Sequence, residues 1–137
     1  MRIREVMIRN FRSIKELSFR FPESGLMVLV GPNNAGKSNI VKAINNILGE
    51  SWWGKDVDNI DYYRRDLERK INIIIEFDNG SWVEYSSDKS WPEFYSEDKV
   101  KREIRELKGG ERYFCVYLSA SRDISKTLSF HKWALMG

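Results

Sequence analysis

The 137-residue chain contains no glutamine, a single cysteine, a single histidine and three prolines. The lone Cys115 excludes an internal disulfide, and its apolar neighbours favour a buried structural thiol over a reactive one. No stretch approaches the ~18 apolar residues of a membrane-spanning helix. The N-terminal residues alternate as in a strand and lack the apolar segment of a secretory signal. These absences predict a cytoplasmic protein in a reducing compartment, with no membrane partner.

The residues that are present are typical of one globular domain. Hydrophobic residues make up 42% and charged residues 31% of the chain, so it can bury a core rather than remain disordered. A net charge of +3 tolerates nucleic acid as a partner without requiring it. Because no change of composition divides the sequence, we expect residues 1–137 to form a single domain.

The most informative stretch is GPNNAGKSN at residues 31–39. It follows an apolar run, LMVLV at residues 26–30, and precedes a run of helical periodicity at residues 40–48. A buried strand, then GxxxxGK[ST], then a helix is the arrangement of a P-loop, in which backbone N–H groups and a helix N-terminus converge on phosphate. The stretch therefore predicts a nucleoside triphosphate site. A Gly-rich turn that binds nothing is the alternative.

The positions of this loop have different expected roles. Lys37, the predicted catalytic residue, would stabilise charge on the β- and γ-phosphates, and the Ser38 hydroxyl is the predicted Mg²⁺ ligand. Gly31 and Gly36 permit backbone angles and close approaches that a side chain would block. No guanine-reading Asn-Lys-x-Asp motif is present, which favours ATP. The predicted nucleotide-binding residues of the loop are Gly31, Asn33, Asn34, Ala35, Gly36, Lys37, Ser38 and Asn39.

The pattern around the loop predicts antiparallel strands. Two strands are expected within residues 1–21, joined by NFRS at residues 10–13 and followed by a turn at residues 22–25. The P-loop helix is expected to end at Gly49 in a left-handed cap. Two alternating runs flank DNG at residues 78–80 and predict a hairpin, which is unusual for simple doubly wound P-loop proteins.

The C-terminal third predicts another helix and another strand. Ser96 is expected to cap a helix over residues 97–108. The polar face of that helix mixes both signs of charge, which favours a solvated surface over a DNA-binding stripe. Residues 112–118 predict an apolar strand, followed by SASRD at residues 119–123 and a further amphipathic segment.

Three segments together resemble one branch of the P-loop proteins: the opening strand–NFRSI–strand, the loop GPNNAGKSN, and YLSASRD at residues 117–123. They are similar to the N-terminal lobe of the ATPase heads of SMC- and RecF-type DNA repair proteins, and most closely to the OLD family of ATP-dependent nucleases. The resemblance implies an α/β P-loop NTPase fold of the ABC type, with an antiparallel β-subdomain beside part of a RecA-like core. It implies ATP and Mg²⁺ as cofactors, and DNA and a second copy of the chain as candidate partners.

The resemblance also implies roles for residues outside the loop. Arg12 and Ser13 would lie at the nucleotide edge, where the first strands meet the P-loop, and a turn with a solvated arginine is the alternative. Residues 119–123 would occupy the place of the ABC Q-loop, although no glutamine is available for it. Arg122 or Asp123 would have to take that role, unless Asp123 only caps a helix.

Parts of a complete ATPase head are not found in the pattern. No apolar strand ends in Asp-Glu, as a Walker B strand does; IIIEFD at residues 73–78 is the nearest candidate, but the turn that follows favours a hairpin strand. No signature loop is found, and His131 lies too close to the expected Q-loop to be the switch histidine. We therefore expect an ATP-binding lobe that hydrolyses ATP only when a C-terminal lobe or a partner chain completes it.

Two other functions fit the sequence. A small P-loop kinase would transfer phosphate to a metabolite, although kinases usually place the loop after their first strand. A non-catalytic module would bind nucleotide or associate with a partner through an unpaired edge of its core. Contact with DNA phosphates is the minor interpretation of a small basic cluster formed by Arg64, Arg65, Arg69 and Lys70.

Overall fold

The computed structural model describes residues 2–32, 36–49 and 57–103. These residues form a six-stranded sheet, one α-helix and two short 3₁₀ helices. The helix α1 (Lys37–Leu48) and the 3₁₀ helices at Asn59–Asp61 and Tyr63–Arg65 lie between the second and third strands in the chain. The strands are β1 (Ile3–Phe11), β2 (Ile14–Arg20), β3 (Asn72–Phe77), β4 (Trp82–Ser86), β5 (Glu93–Tyr95) and β6 (Lys101–Arg102).

The strand order in the sheet is β2-β1-β3-β4-β5-β6, and every neighbouring pair is antiparallel. At the centre, Ile8 of β1 lies between Leu17 of β2 and Ile73 of β3. The two strands predicted within residues 1–21 and the predicted hairpin β3–β4 are confirmed, and β1 and β2 pair with each other as well. The run IIIEFD thus supplies β3 of a hairpin that turns at Gly80, whose φ of 84° lies in the left-handed region.

One face of the sheet carries the hydrophobic core. Every second side chain of β3 is buried, and Val6 and Ile8 follow the same alternation on β1, as in a strand that buries one face. α1 packs against β1 and adds the buried side chains of Ala43, Ile47 and Leu48. The cluster of buried residues consists of Val6, Ile8, Phe11, Ile14, Ala43, Ile47, Leu48, Ile71, Ile73, Ile75, Phe77, Val83 and Tyr85.

The apolar run at residues 26–30 is not the buried strand that the sequence predicts. No strand is assigned there, and Leu26, Val28 and Val30 are 73%, 73% and 89% exposed. A buried strand needs hydrogen-bonded neighbours for its backbone groups, and none of the six described strands pairs with this run. The other apolar strand that the sequence predicts, at residues 112–118, lies outside the described residues.

The helix predicted over residues 97–108 is wrong in its described part. Residues 96–99 instead make the turn between β5 and β6, in which the Ser96 N–H donates to the Val100 carbonyl at 3.0 Å. The Ser96 hydroxyl donates to the Asp98 carboxylate rather than capping a helix. Such local side-chain bonds compete with helix formation and favour turns. Residues 104–108 lie outside the described residues.

α1 ends at Gly49 as predicted, but its cap is extended rather than left-handed, with φ −72° and ψ 177°. The Gly49 N–H donates to the Asn45 carbonyl at 2.6 Å. A Cβ at this position would lie 2.3 Å from that carbonyl oxygen and 2.7 Å from Asn45 Oδ1. Glycine is therefore required here for space and not for a positive φ.

Candidate nucleotide-binding site

The N-terminus of α1 is built around Gly36. This residue is left-handed, with φ 88°, and its carbonyl accepts hydrogen bonds from the N–H groups of Asn39 at 3.0 Å and Ile40 at 3.1 Å. Gly36 has no side chain with which to cap the helix, so the first N–H groups of α1 are available to an anion. A Cβ here would also lie 3.0 Å from Ser13 Oγ. The position therefore requires glycine on two grounds.

Lys37 and Ser38 form the first turn of α1. The Lys37 ammonium donates to the Gly31 carbonyl, which places the lysine across the loop from its first glycine. The Ser38 side chain is exposed. Asn33, Asn34 and Ala35, the other predicted backbone donors, lie outside the described residues.

The β1–β2 turn reaches the start of α1 through Ser13. Its Oγ accepts a hydrogen bond from Asn39 Nδ2 at 2.8 Å. The chain reverses here because Asn10 and Arg12 adopt left-handed conformations, with φ 55° and 51°. The structure thus brings together Ser13, Gly36 and Asn39, three of the residues predicted to bind nucleotide.

Arg12 is held by Asp61 rather than solvated. Its Nε donates to Asp61 Oδ1 at 2.9 Å, and its backbone N–H donates to the Asp61 carbonyl at 2.7 Å. The guanidinium carbon lies 5.6 Å from the centroid of the Phe11 ring, and 28% of the side chain is exposed. Arg12 is therefore not the solvated arginine of the alternative interpretation.

Sequence analysis missed Asp61, whose side chain is 6% exposed. Its Oδ2 accepts the Asp58 N–H at 3.0 Å, and the Asp58 carboxylate accepts the Asp61 backbone N–H in return, which completes a capping box. The Asp58 carboxylate also accepts the Asn59 N–H at 2.6 Å. The spacing of Asp58 and Asp61 is the one local signal of this arrangement, and it indicates a cap, not a contact with β1.

The predicted basic cluster is half neutralised. Arg69 lies 3.3 Å from the Asp66 carboxylate, and Lys70 lies 2.9 Å from the Asp88 carboxylate. Hydrogen bonds from Ser86 and Lys70 lower the pKa of Asp88 to about 2, so this carboxylate is charged at neutral pH. Two exposed arginines, at positions 64 and 65, carry the remaining charge of the cluster on left-handed backbone.

Several predicted features lie outside the described residues: Cys115, the segment at residues 119–123 with Arg122 and Asp123, and His131. Within the described ranges, no group of three or more His, Cys, Asp or Glu side chains is arranged to hold a metal ion. No helix in the described part of the chain is long and apolar enough to cross a membrane.

The chain as a whole, and not only its P-loop, matches a known family. The family description "AAA ATPase domain" matches residues 1–135. The chain belongs to this AAA ATPase domain family. Membership of this family confirms the predicted P-loop NTPase. The described residues contain the predicted antiparallel sheet but not the predicted RecA-like part of the fold.

Curated relatives of this ATPase domain fall in the group that the sequence resembles. The chain is 33% identical over 78 residues to an OLD nuclease of Thermus scotoductus, and the aligned region covers 56% of the chain and 14% of the nuclease. It is 26% identical over 137 residues to the chromosome partition protein Smc of Methanococcus voltae (90% of the chain, 10% of Smc). With the replication and repair protein RecF of Chlorobium luteolum it shares 42% identity over 45 residues (33% of the chain, 12% of RecF).

These matches confirm the resemblance to the SMC, RecF and OLD group. The aligned regions cover 14%, 10% and 12% of the three relatives, so the chain spans a small part of their length.

Proposed function

We propose that this ATPase domain is the ATP-binding lobe of an ABC-type ATPase that acts in DNA metabolism, similar to OLD, RecF and Smc proteins. The observation that supports it best is the meeting of Ser13, Gly36 and Asn39 at the N-terminus of α1. A hairpin that precedes the P-loop and touches it is not expected of a P-loop kinase, in which the loop usually follows the first strand. A cytoplasmic location, which the sequence predicts, is part of this proposal.

The described residues suit a triphosphate in three ways. The backbone N–H groups at the start of α1 offer donors to phosphate oxygens. Lys37, already turned across the loop towards Gly31, adds a positive charge beside them. Ser38 offers a hydroxyl oxygen, a ligand type that Mg²⁺ accepts alongside phosphate oxygens and water.

Mg²⁺, when bound, would offset the charge of the β- and γ-phosphates, with Ser38 as its ligand from this chain. Hydrolysis also requires groups that orient and polarise the attacking water. We assign those groups to a C-terminal lobe or a partner chain, since no apolar run of this sequence ends in the Asp-Glu pair of a Walker B strand. A second copy of the chain and DNA are the further partners of this proposal.

Calorimetric titration of the 137-residue chain with Mg²⁺-ATP tests the proposal. Lys37→Ala should abolish tight binding without unfolding the chain. The matched control is Lys42→Ala, which removes the same charge from the same helix five residues along. Unchanged affinity in a folded Lys37→Ala variant would refute the P-loop assignment.

A non-catalytic interaction module is a second candidate, and the exposed run at residues 26–30 favours it. Leu26, Val28 and Val30 are exposed apolar side chains at alternate positions of this run, and exposed apolar surfaces are often interfaces. Light scattering together with a dye that binds apolar patches tests it. A monomer that binds no dye would remove its basis.

A further inference from the structure

We propose that Asp61 is a positioning residue that fixes the Arg12 guanidinium at the edge of the phosphate cradle. The inference rests on the proposed function, because it names a residue that prepares the nucleotide site. Asp61 comes from the 3₁₀ segment after α1, 49 positions from Arg12 in the chain. It belongs neither to the loop nor to the predicted set of binding residues.

Asp61 contacts Arg12 through both its backbone and its side chain. Its carbonyl accepts the Arg12 N–H at 2.7 Å, and Oδ1 accepts Arg12 Nε at 2.9 Å. The second carboxylate oxygen accepts the Asp58 N–H at 3.0 Å, so both carboxylate oxygens are hydrogen-bonded. A bridge between Phe11 and Tyr62 joins the flanking residues of both partners. Arg12 is therefore fixed at two points on a rigid base.

Arg12 directly precedes the residue that contacts the P-loop helix. The next residue, Ser13, accepts the hydrogen bond from Asn39 and lies against Gly36. A guanidinium has five N–H donors, and Asp61 takes only the one on Nε. Within the described residues, no hydrogen bond engages the four donors of its two terminal nitrogens. Those nitrogens form the fork that binds phosphate oxygens in pairs.

The buried carboxylate is needed to hold that fork, not to attract the ligand. An unpaired Asp61 would repel a triphosphate, whereas the ion pair with Arg12 cancels its charge. Holding the guanidinium in advance also removes the ordering that a free arginine side chain would undergo when ATP binds. Loss of Asp61 should therefore weaken ATP binding only through Arg12.

A double-mutant cycle tests this dependence on the 137-residue chain. Mg²⁺-ATP affinity is measured by calorimetry for wild type, Arg12→Ala, Asp61→Ala and the double variant, with folding checked by circular dichroism. We expect each single variant to lose about 10-fold or more in affinity, as for a charged hydrogen bond to phosphate. The double variant should bind no more weakly than Arg12→Ala. Independent effects would instead multiply to roughly 100-fold.

Asp58→Ala is the matched control, because it removes the cap of the same 3₁₀ helix but no contact with Arg12. Its ATP affinity should equal that of wild type. A loss of affinity as large as that of Asp61→Ala would show that ATP binding depends on the order of the 3₁₀ helix and not on Arg12. Asp61→Asn replaces Asp61→Ala in the cycle if the latter does not fold. If wild type binds ATP tightly, Lys37→Ala abolishes that binding and the Asp61 variants leave it unchanged, this inference alone is overturned. No binding by the wild-type chain overturns it together with the proposed function.

Discussion

Ser13 and Asn39 join the sheet to the P-loop helix, because Asn39 Nδ2 donates to Ser13 Oγ at 2.8 Å across the gap between the β1–β2 turn and the first turn of α1. The same Ser13 oxygen lies 3.0 Å from the place where a Cβ of residue 36 would stand. The side chain that docks the helix therefore also limits what can occupy the loop. This relationship makes Gly36 sensitive to any substitution that adds a Cβ.

Gly36→Ala should lower both stability and nucleotide affinity. Its φ of 88° costs a side-chain-bearing residue about 1–2 kcal/mol, and the new Cβ would press on Ser13. Displacing Ser13 breaks its bond to Asn39 and shifts the start of α1. Urea denaturation measures the first effect, and calorimetry with Mg²⁺-ATP measures the second.

Gly25→Ala separates these two effects. Gly25 is also left-handed, with φ 77°, but its nearest neighbour would be a flexible Arg2 carbon at 3.9 Å. The variant should therefore lose a similar amount of stability while its ATP affinity stays unchanged. Equal affinity in Gly36→Ala and Gly25→Ala would show that the contact with Ser13 does not matter.

Local sequence patterns predicted the two opening strands, the β3–β4 hairpin and α1, because each depends on neighbours close in the chain. The approach of Ser13 to the loop was implied by the resemblance to the SMC, RecF and OLD group. Asp61 could not be found in this way. Its partner Arg12 lies 49 positions away, and only the folded sheet brings the two together. The pattern around Asp61 is that of a solvated, charged loop.

Two errors have a different origin. The helical spacing after Ser96 was outweighed by side-chain hydrogen bonds that favour a turn, with Asp98 accepting the Val100 N–H at 3.3 Å. The apolar run at residues 26–30 indicates a preference for burial, but burial of a strand also depends on neighbours that its own sequence does not specify. Sequence periodicity therefore shows that a segment favours burial but not which neighbouring elements bury it.

Gly49→Ala should destabilise the chain although its backbone angles suit any residue. At φ −72° alanine would ordinarily add about 0.4–1 kcal/mol of stability by restricting the unfolded chain. Here the Cβ would lie 2.3 Å from the Asn45 carbonyl oxygen, so the end of α1 must move at a cost of about 1–3 kcal/mol. Chemical denaturation decides between the two, and a gain in stability would contradict the contact.

Glu93 should make the stability of the sheet depend on acid. Its carboxylate accepts hydrogen bonds from the Tyr95 hydroxyl, from Lys89 at 3.0 Å and from Lys101 at 3.1 Å, and these lower its pKa from 4.5 to about 2. A pKa lowered by folding gives stability that is complete above about pH 4.5 and is lost as the pH falls towards 2. Urea midpoints measured between pH 7 and pH 2 should therefore fall more steeply in wild type than in Glu93→Gln. Tyr95→Phe removes one donor and should lie between them, whereas identical slopes in all three proteins would exclude Glu93 as the cause.

Val83 and Val30 offer a matched pair for testing which apolar residues hold the fold together. Val83 is fully buried in the core, and Val30 is 89% exposed beside the loop. Val83→Ala should cost about 1–3 kcal/mol in the free energy of unfolding, because it removes buried apolar surface and leaves a cavity. Val30→Ala should change it by less than about 0.5 kcal/mol, as substitutions of exposed side chains do. Guanidinium chloride denaturation at pH 7 measures both. Equal losses would show that residues 26–30 are covered in solution, as the buried strand predicted in front of the P-loop would be.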